Sequence, residues 1–145
     1  MSEATWKIIP YLRVSDGAKA IDFYVRAFGA KEVSRYAMPD GKIGHAELDF
    51  HGATLQLADA DFKTGGSNGA EQVPIMLHVT VPEVDAAFAR AVEAGATVTR
   101  PLADQFYGDR NGGVRDPFGH LWFLSSHVRD VSEAEMEAAM KAEAT

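Results

Sequence analysis

The apolar positions of the first strand, over Trp6 to Val14, follow a period of two. The period then changes from two to between three and four and back again. Trp6 to Val14 predicts a strand. Asp16 caps a helix whose apolar positions Ile21, Tyr24, Val25 and Phe28 share one face, and Gly29 ends it. A strand to Tyr36, a Pro39-Asp40-Gly41 turn, a strand over Ile43 to Phe50, a His51-Gly52 turn and a strand over Thr54 to Ala58 complete a βαβββ unit.

The Gly-rich stretch between Asp59 and Val73 reads as a flexible connection, after which the pattern restarts. Ile75 to Val81 is a strand, and Pro82 opens a helix with its apolar face at Val84, Ala87, Phe88, Ala91 and Val92. Gly95 closes that helix and Ala96 to Arg100 is the next strand. A loop over Pro101 to Asn111, a short strand over Gly113 to Asp116, a turn at Asp116-Pro117-Phe118-Gly119 and a strand over His120 to Ser126 follow. Leu12 with Val79, Val14 with Val81, Asp49 with Asp116 and Gly52 with Gly119 are all related by one shift of 67 residues, and Gly29 with Gly95 by 66. The chain therefore reads as one unit written twice. Ser132 with Glu135 makes a capping box before a third, Ala-rich helix.

The expected fold class is α+β: two tandem βαβββ modules, over about 6–60 and 73–128, forming a curved mixed sheet around a cavity, with a C-terminal helix over about 132–143. The 145 residues suit one domain. Cysteine is absent, which removes thiolate metal sites, cysteine nucleophiles and disulfides, and fits a reducing compartment. Met1 to Lys7 carries no signal-peptide pattern and no apolar run reaches membrane-spanning length, so a cytoplasmic protein without a membrane partner is expected. The net charge of −7, with no basic cluster, argues against nucleic acid.

Tyr11-Leu12-Arg13-Val14, Ala20-Ile21-Asp22-Phe23-Tyr24, Phe28-Gly29-Ala30, Gly95-Ala96 and the run from Asp116 to Trp122 resemble the vicinal oxygen chelate superfamily. Its members include glyoxalase I, extradiol dioxygenases and bleomycin-resistance proteins. The run Asp104 to Arg110 is similar to a bacterial glyoxalase-like branch. The resemblance implies the fold and a homodimer. It does not select a reaction, because one fold hosts several chemistries.

Strand alternation places the wholly apolar set of the first strand under the helix and turns Ile9, Tyr11 and Arg13 the other way. The repeat adds Met76, His78 and Thr80, with Gln56 and Phe123 from the last strand of each module. His45 and Glu47 come from the third strand, with Val114 opposite. Phe106, Tyr107 and Arg110 are further candidate ligand contacts; a structural ion pair of Arg110 with Asp109, Asp116 or Glu47 is the competing reading. In the metal-dependent relatives, the resemblance implies one ligand on the first and one on the last strand of each module, which falls here on Ile9, Gln56, Met76 and Phe123. Such a set lacks the three nitrogen or oxygen donors that a catalytic divalent cation needs. The expected function is metal-free binding of a small, partly aromatic or cationic organic molecule, without a cofactor. The alternative is a lyase, isomerase or dioxygenase-type enzyme that uses Glu47 or His78 as base, or a displaced divalent metal at His45, Glu47 and His78.

Overall fold

The computed structural model describes residues 7–60 and 75–144, with side chains to residue 142. The Gly-rich connection and the start of the first expected strand therefore lie outside the described residues. The chain divides into two compact units, Met1–Gln72 and Val73–Thr145. The first unit runs β1 (Tyr11–Val14), α1 (Gly17–Phe28), β2 (Lys31–Ala37), β3 (Ile43–Phe50) and β4 (Ala53–Asp59). The second repeats the order with β5 (Met76–Thr80), α2 (Val84–Ala94), β6 (Thr97–Asp104), β7 (Asp109–Arg115) and β8 (Leu121–His127), then adds α3 (Glu133–Ala144). This is the α+β class and the doubled βαβββ unit that the sequence predicts. The strands form two four-stranded sheets, ordered β1-β4-β3-β2 and β5-β8-β7-β6, each with one parallel pair at the β1–β4 or β5–β8 seam.

The registers refine the repeat. Tyr11 pairs with Gln56 and His78 with Phe123, which keeps the shift of 67 on the first and last strands. Glu47 pairs with Gln56, however, while Gly113 pairs with Phe123, so the third strands are related by 66. The turns absorb the difference. Phe50 and Ala53 close a two-residue turn at His51 and Gly52, both at positive φ (54° and 97°), whereas Asp116 and His120 flank three residues. Val114 is consequently not the counterpart of Glu47. It is fully buried and pairs with Trp122, while Gly113 takes the place expected of it.

Each helix covers one face of its own sheet. Asp16 accepts the Lys19 N–H at 3.1 Å, and Gly29, at φ 71°, returns its N–H to the last turn of α1. The buried face of α1 is Ala20, Ile21, Phe23, Tyr24, Ala27 and Phe28, against Leu12, Ala46, Leu48, Leu55 and Leu57 of the sheet. Val25 was expected on this face and instead is 37% exposed, because the stripe tilts toward Phe23. In the second unit Val84, Phe88 and Ala91 pack inward and Val92 is left at the surface. Gly112 is required here, since a Cβ would stand 2.7 Å from the Phe88 ring. α3 begins at the expected capping box, with the Glu135 N–H donating to Ser132 Oγ at 3.1 Å, and buries none of its described side chains.

Candidate functional site

The helix-free face of the first sheet gathers most of the residues that alternation assigned to it. Tyr11, Gln56, Glu47 and Ser34 form one row across β1, β4, β3 and β2. The Gln56 amide donates from Nε2 to Glu47 Oε1 at 3.2 Å. His45 lies one step along β3, where its Nδ1 shares a 3.0 Å hydrogen bond with the Tyr11 hydroxyl. Tyr36 flanks it from β2, with ring centroids 6.3 Å apart. The Arg13 guanidinium stands 5.0 Å from the centre of the Tyr11 ring. Ile9 precedes β1 and is part-exposed. Tyr36 and Ser34 escaped the sequence reading, although alternation along their strand carried the signal.

The same row in the second sheet has different chemistry: His78, Phe123, Gly113 and Arg100, on β5, β8, β7 and β6. The His78 and Phe123 ring centroids are 5.7 Å apart, and the Arg100 guanidinium stands over the Phe123 ring at 5.8 Å. Phe123 is almost fully buried, whereas Met76 and His78 are exposed. Arg100 was missed because Pro101 and the glycines beyond it read as loop, so its strand was ended there rather than followed across the sheet.

The run from Asp104 to Arg110 is the tip of the β6–β7 hairpin. Gln105 Nε2 donates to Asn111 Oδ1 at 3.1 Å, and Asn111 Nδ2 donates to the Tyr107 hydroxyl at 2.8 Å, so the buried Asn111 is satisfied by the tip itself. Phe106 packs edge-on against Tyr107, and its carbonyl accepts from Arg129. Arg110 points toward α2, donating to Asp85 at 2.8 Å and Asp104 at 3.3 Å. These two carboxylates, Asp85 first, hold its pKa above the usual arginine value. None of the partners expected for Arg110 is used.

Asp116 is buried and belongs to the turn. Its Oδ1 accepts the N–H groups of Phe118 and His120, and its Oδ2 accepts Trp122 Nε1 at 2.9 Å. His51 donates from Nε2 to the Phe28 carbonyl at 2.7 Å, tying the β3–β4 turn to the end of α1. The exposed His127 sits between Asp130 at 2.7 Å and Asp109 at 3.1 Å, and these hydrogen bonds, Asp130 first, raise its pKa. Among the described residues no three His, Asp or Glu side chains group so as to hold a metal ion, and no helix is long and apolar enough to cross a membrane.

The sequence profile of the Glyoxalase/Bleomycin resistance protein/Dioxygenase superfamily matches residues 7–124, most of the chain and both units. The chain belongs to that superfamily. Within it, the Mycobacterium bovis protein Mb0911c is 47% identical over 139 residues, covering 92% of this chain and 91% of that protein. TioX from Micromonospora sp. ML1 superposes with a TM-score of 0.70 at 31% identity, over 86% of this chain and 100% of that one. The Arabidopsis thaliana product of At5g48480 gives 0.67 at 26% identity, over 86% and 99%. The four positions that the family resemblance assigns to metal ligands in metal-dependent members are Ile9, Gln56, Met76 and Phe123 in this chain. Two have no donor atom, one is a thioether, and the Gln56 amide is held by Glu47. That set does not fit a catalytic divalent cation.

Proposed function

We propose that the protein binds a small organic molecule on the helix-free faces of its sheets without a metal, as a bleomycin-resistance-like member of its superfamily. The observation that carries this reading is the side-chain content of the four superfamily ligand positions: in place of converging carboxylates and imidazoles stand an aliphatic chain, a hydrogen-bonded amide, a thioether and a phenyl ring. What remains around them suits recognition. Tyr11, Tyr36 and His45 offer aromatic surface with polar rims in the first unit, as does His78, beside the buried Phe123 ring, in the second. Glu47, oriented by Gln56, supplies an acceptor. Recognition of this kind needs stacking surface and a few fixed polar groups, and these faces supply both.

A thermal-shift screen of the full chain against a panel of small aromatic and heteroaromatic compounds tests the proposal. A binder selective for the native state raises the unfolding midpoint with concentration by mass action. The proposal expects such compounds to exist and to lose their effect in Tyr11→Ala or His45→Ala. A panel with no stabilising compound would count against it. A cytoplasmic homodimer is part of the same proposal. Sheet-edge strands β1 and β5 are bordered by exposed apolar residues, Ile8 at 99% and Ile75 at 65%, which a second copy would cover.

A further inference from the structure

Acidic residues outnumber basic ones 21 to 14 in this chain, yet the centre of the second sheet contains none. The stretches Met76–Thr80, Thr97–Ala103, Asn111–Arg115 and Leu121–Ser125 together hold no Asp or Glu. On the helix-free face they present Arg100 beside Phe123, Arg115 two residues along β7 from Gly113, and His78. Four other arginines, Arg26, Arg35, Arg110 and Arg129, each meet a carboxylate. Among the described residues Arg100 and Arg115 meet none.

The geometry around Phe123 explains how a cation comes to stand there. Gly113 lies between Arg100 and Phe123 in the cross-strand row. A Cβ at that position would stand 2.8 Å from Thr99 Oγ1 and 3.4 Å from both Arg100 Cβ and the Phe123 ring. Glycine therefore leaves the guanidinium free to reach inward over a ring two strands away. An arginine on an edge strand also discourages edge-to-edge pairing, but that task needs the charge turned outward, and here it is turned over the sheet. A guanidinium held over a ring face offers N–H groups that match a carboxylate in a bidentate fork.

We propose that the helix-free face of the second sheet selects a planar organic anion, with His78 against its flat body and Arg100, held over the buried Phe123 ring and supported by Arg115, on its carboxylate or an equivalent oxyanion. This rests on the small-molecule reading above and narrows it: the preferred ligand is anionic, and the cationic class is rejected at this face. In the first unit the same row places Glu47 where Gly113 stands, so the anion preference belongs to the second unit alone.

Calorimetric titration of the full-length protein with 2-naphthoate, 2-naphthamide and 2-naphthylmethylammonium separates charge from shape. The expected result is naphthoate binding roughly tenfold more tightly than the amide, with the cation weakest. Arg100→Gln abolishes the preference, while Arg26→Gln, an equal change of net charge on α1, retains it. Arg100 is exposed, so its substitution leaves the fold intact, which circular dichroism checks. Equal binding of the three probes, or a preference that survives Arg100→Gln, overturns the anion proposal and leaves small-molecule binding standing. Failure of all three probes while other compounds stabilise the protein also overturns it alone. Failure of the probes and of the wider screen together removes both readings.

Discussion

At the scale of single residues, the positions that bear most on folding are polar or glycine. Asp116 is a buried carboxylate with three donors, one of them the indole N–H of the buried Trp122. Asp116→Ala strands those donors and is expected to cost about 2–4 kcal/mol, read from urea unfolding. A loss within experimental error would show that the donors find other partners. Gly108 has φ +96°, and a Cβ there would clash with the Arg129 carbonyl, which the C-terminal segment presses against the hairpin tip. Gly108→Ala is therefore expected to destabilise by about 2 kcal/mol or more in the same assay, and an unchanged midpoint would contradict that. Asp116 was legible from sequence as a turn former, and Gly108 only as part of a loop. Their partners were not, because Trp122 and Arg129 reach them through the folded backbone.

At the scale of elements, helix ends and hairpin turns followed directly from Asp16, Gly29, Gly95, Ser132 and the His51-Gly52 pair, whose local chemistry fixes the backbone. Strand ends were harder to read. Pro101 and Gly108 made the second half of β6 and the start of β7 read as a loop, yet β6 is an edge strand that tolerates proline. Gly112 and Gly113 sit in β7 to admit the Phe88 ring and to clear the path between Arg100 and Phe123. The end of β8 is joined to the following segment by His127, between Asp109 of β7 and Asp130, with Arg110 and Arg129 adjacent in sequence to its partners. Its raised pKa means that its contribution to stability is complete below the unfolded value of about 6.5 and fades as pH rises through the folded value. The thermal midpoint of the native protein should thus exceed that of His127→Gln by more near pH 5.5 than near about pH 8.5. A difference that is the same at both pH values, or larger at the higher one, would contradict the bridge.

At the scale of the whole molecule, the doubling was legible because two copies of a weak pattern constrain one another. The one-residue slip in the third strands was not, since only the register reveals that the second turn is longer. That slip decides the chemistry of the second sheet, moving Val114 under the helix and leaving Gly113 on the open face. The candidate site was legible to the same degree: Tyr11, Arg13, His45, Glu47 and Gln56 share a face, as do Met76, His78 and Phe123, while Arg100 and Tyr36 emerge only with the strands in place. Sedimentation at micromolar concentration is expected to give a dimer of the 15.7 kDa chain, and a monomer alone would remove the proposed homodimer. The claim on which the functional account depends is that the positions used for metal by superfamily relatives have been given over to contacts of another kind. Metal analysis of the untagged protein, purified without chelator, tests it most directly. The account predicts no stoichiometric divalent ion; one ion per chain that is lost on substitution of Gln56, His45, Glu47 or His78 would contradict it.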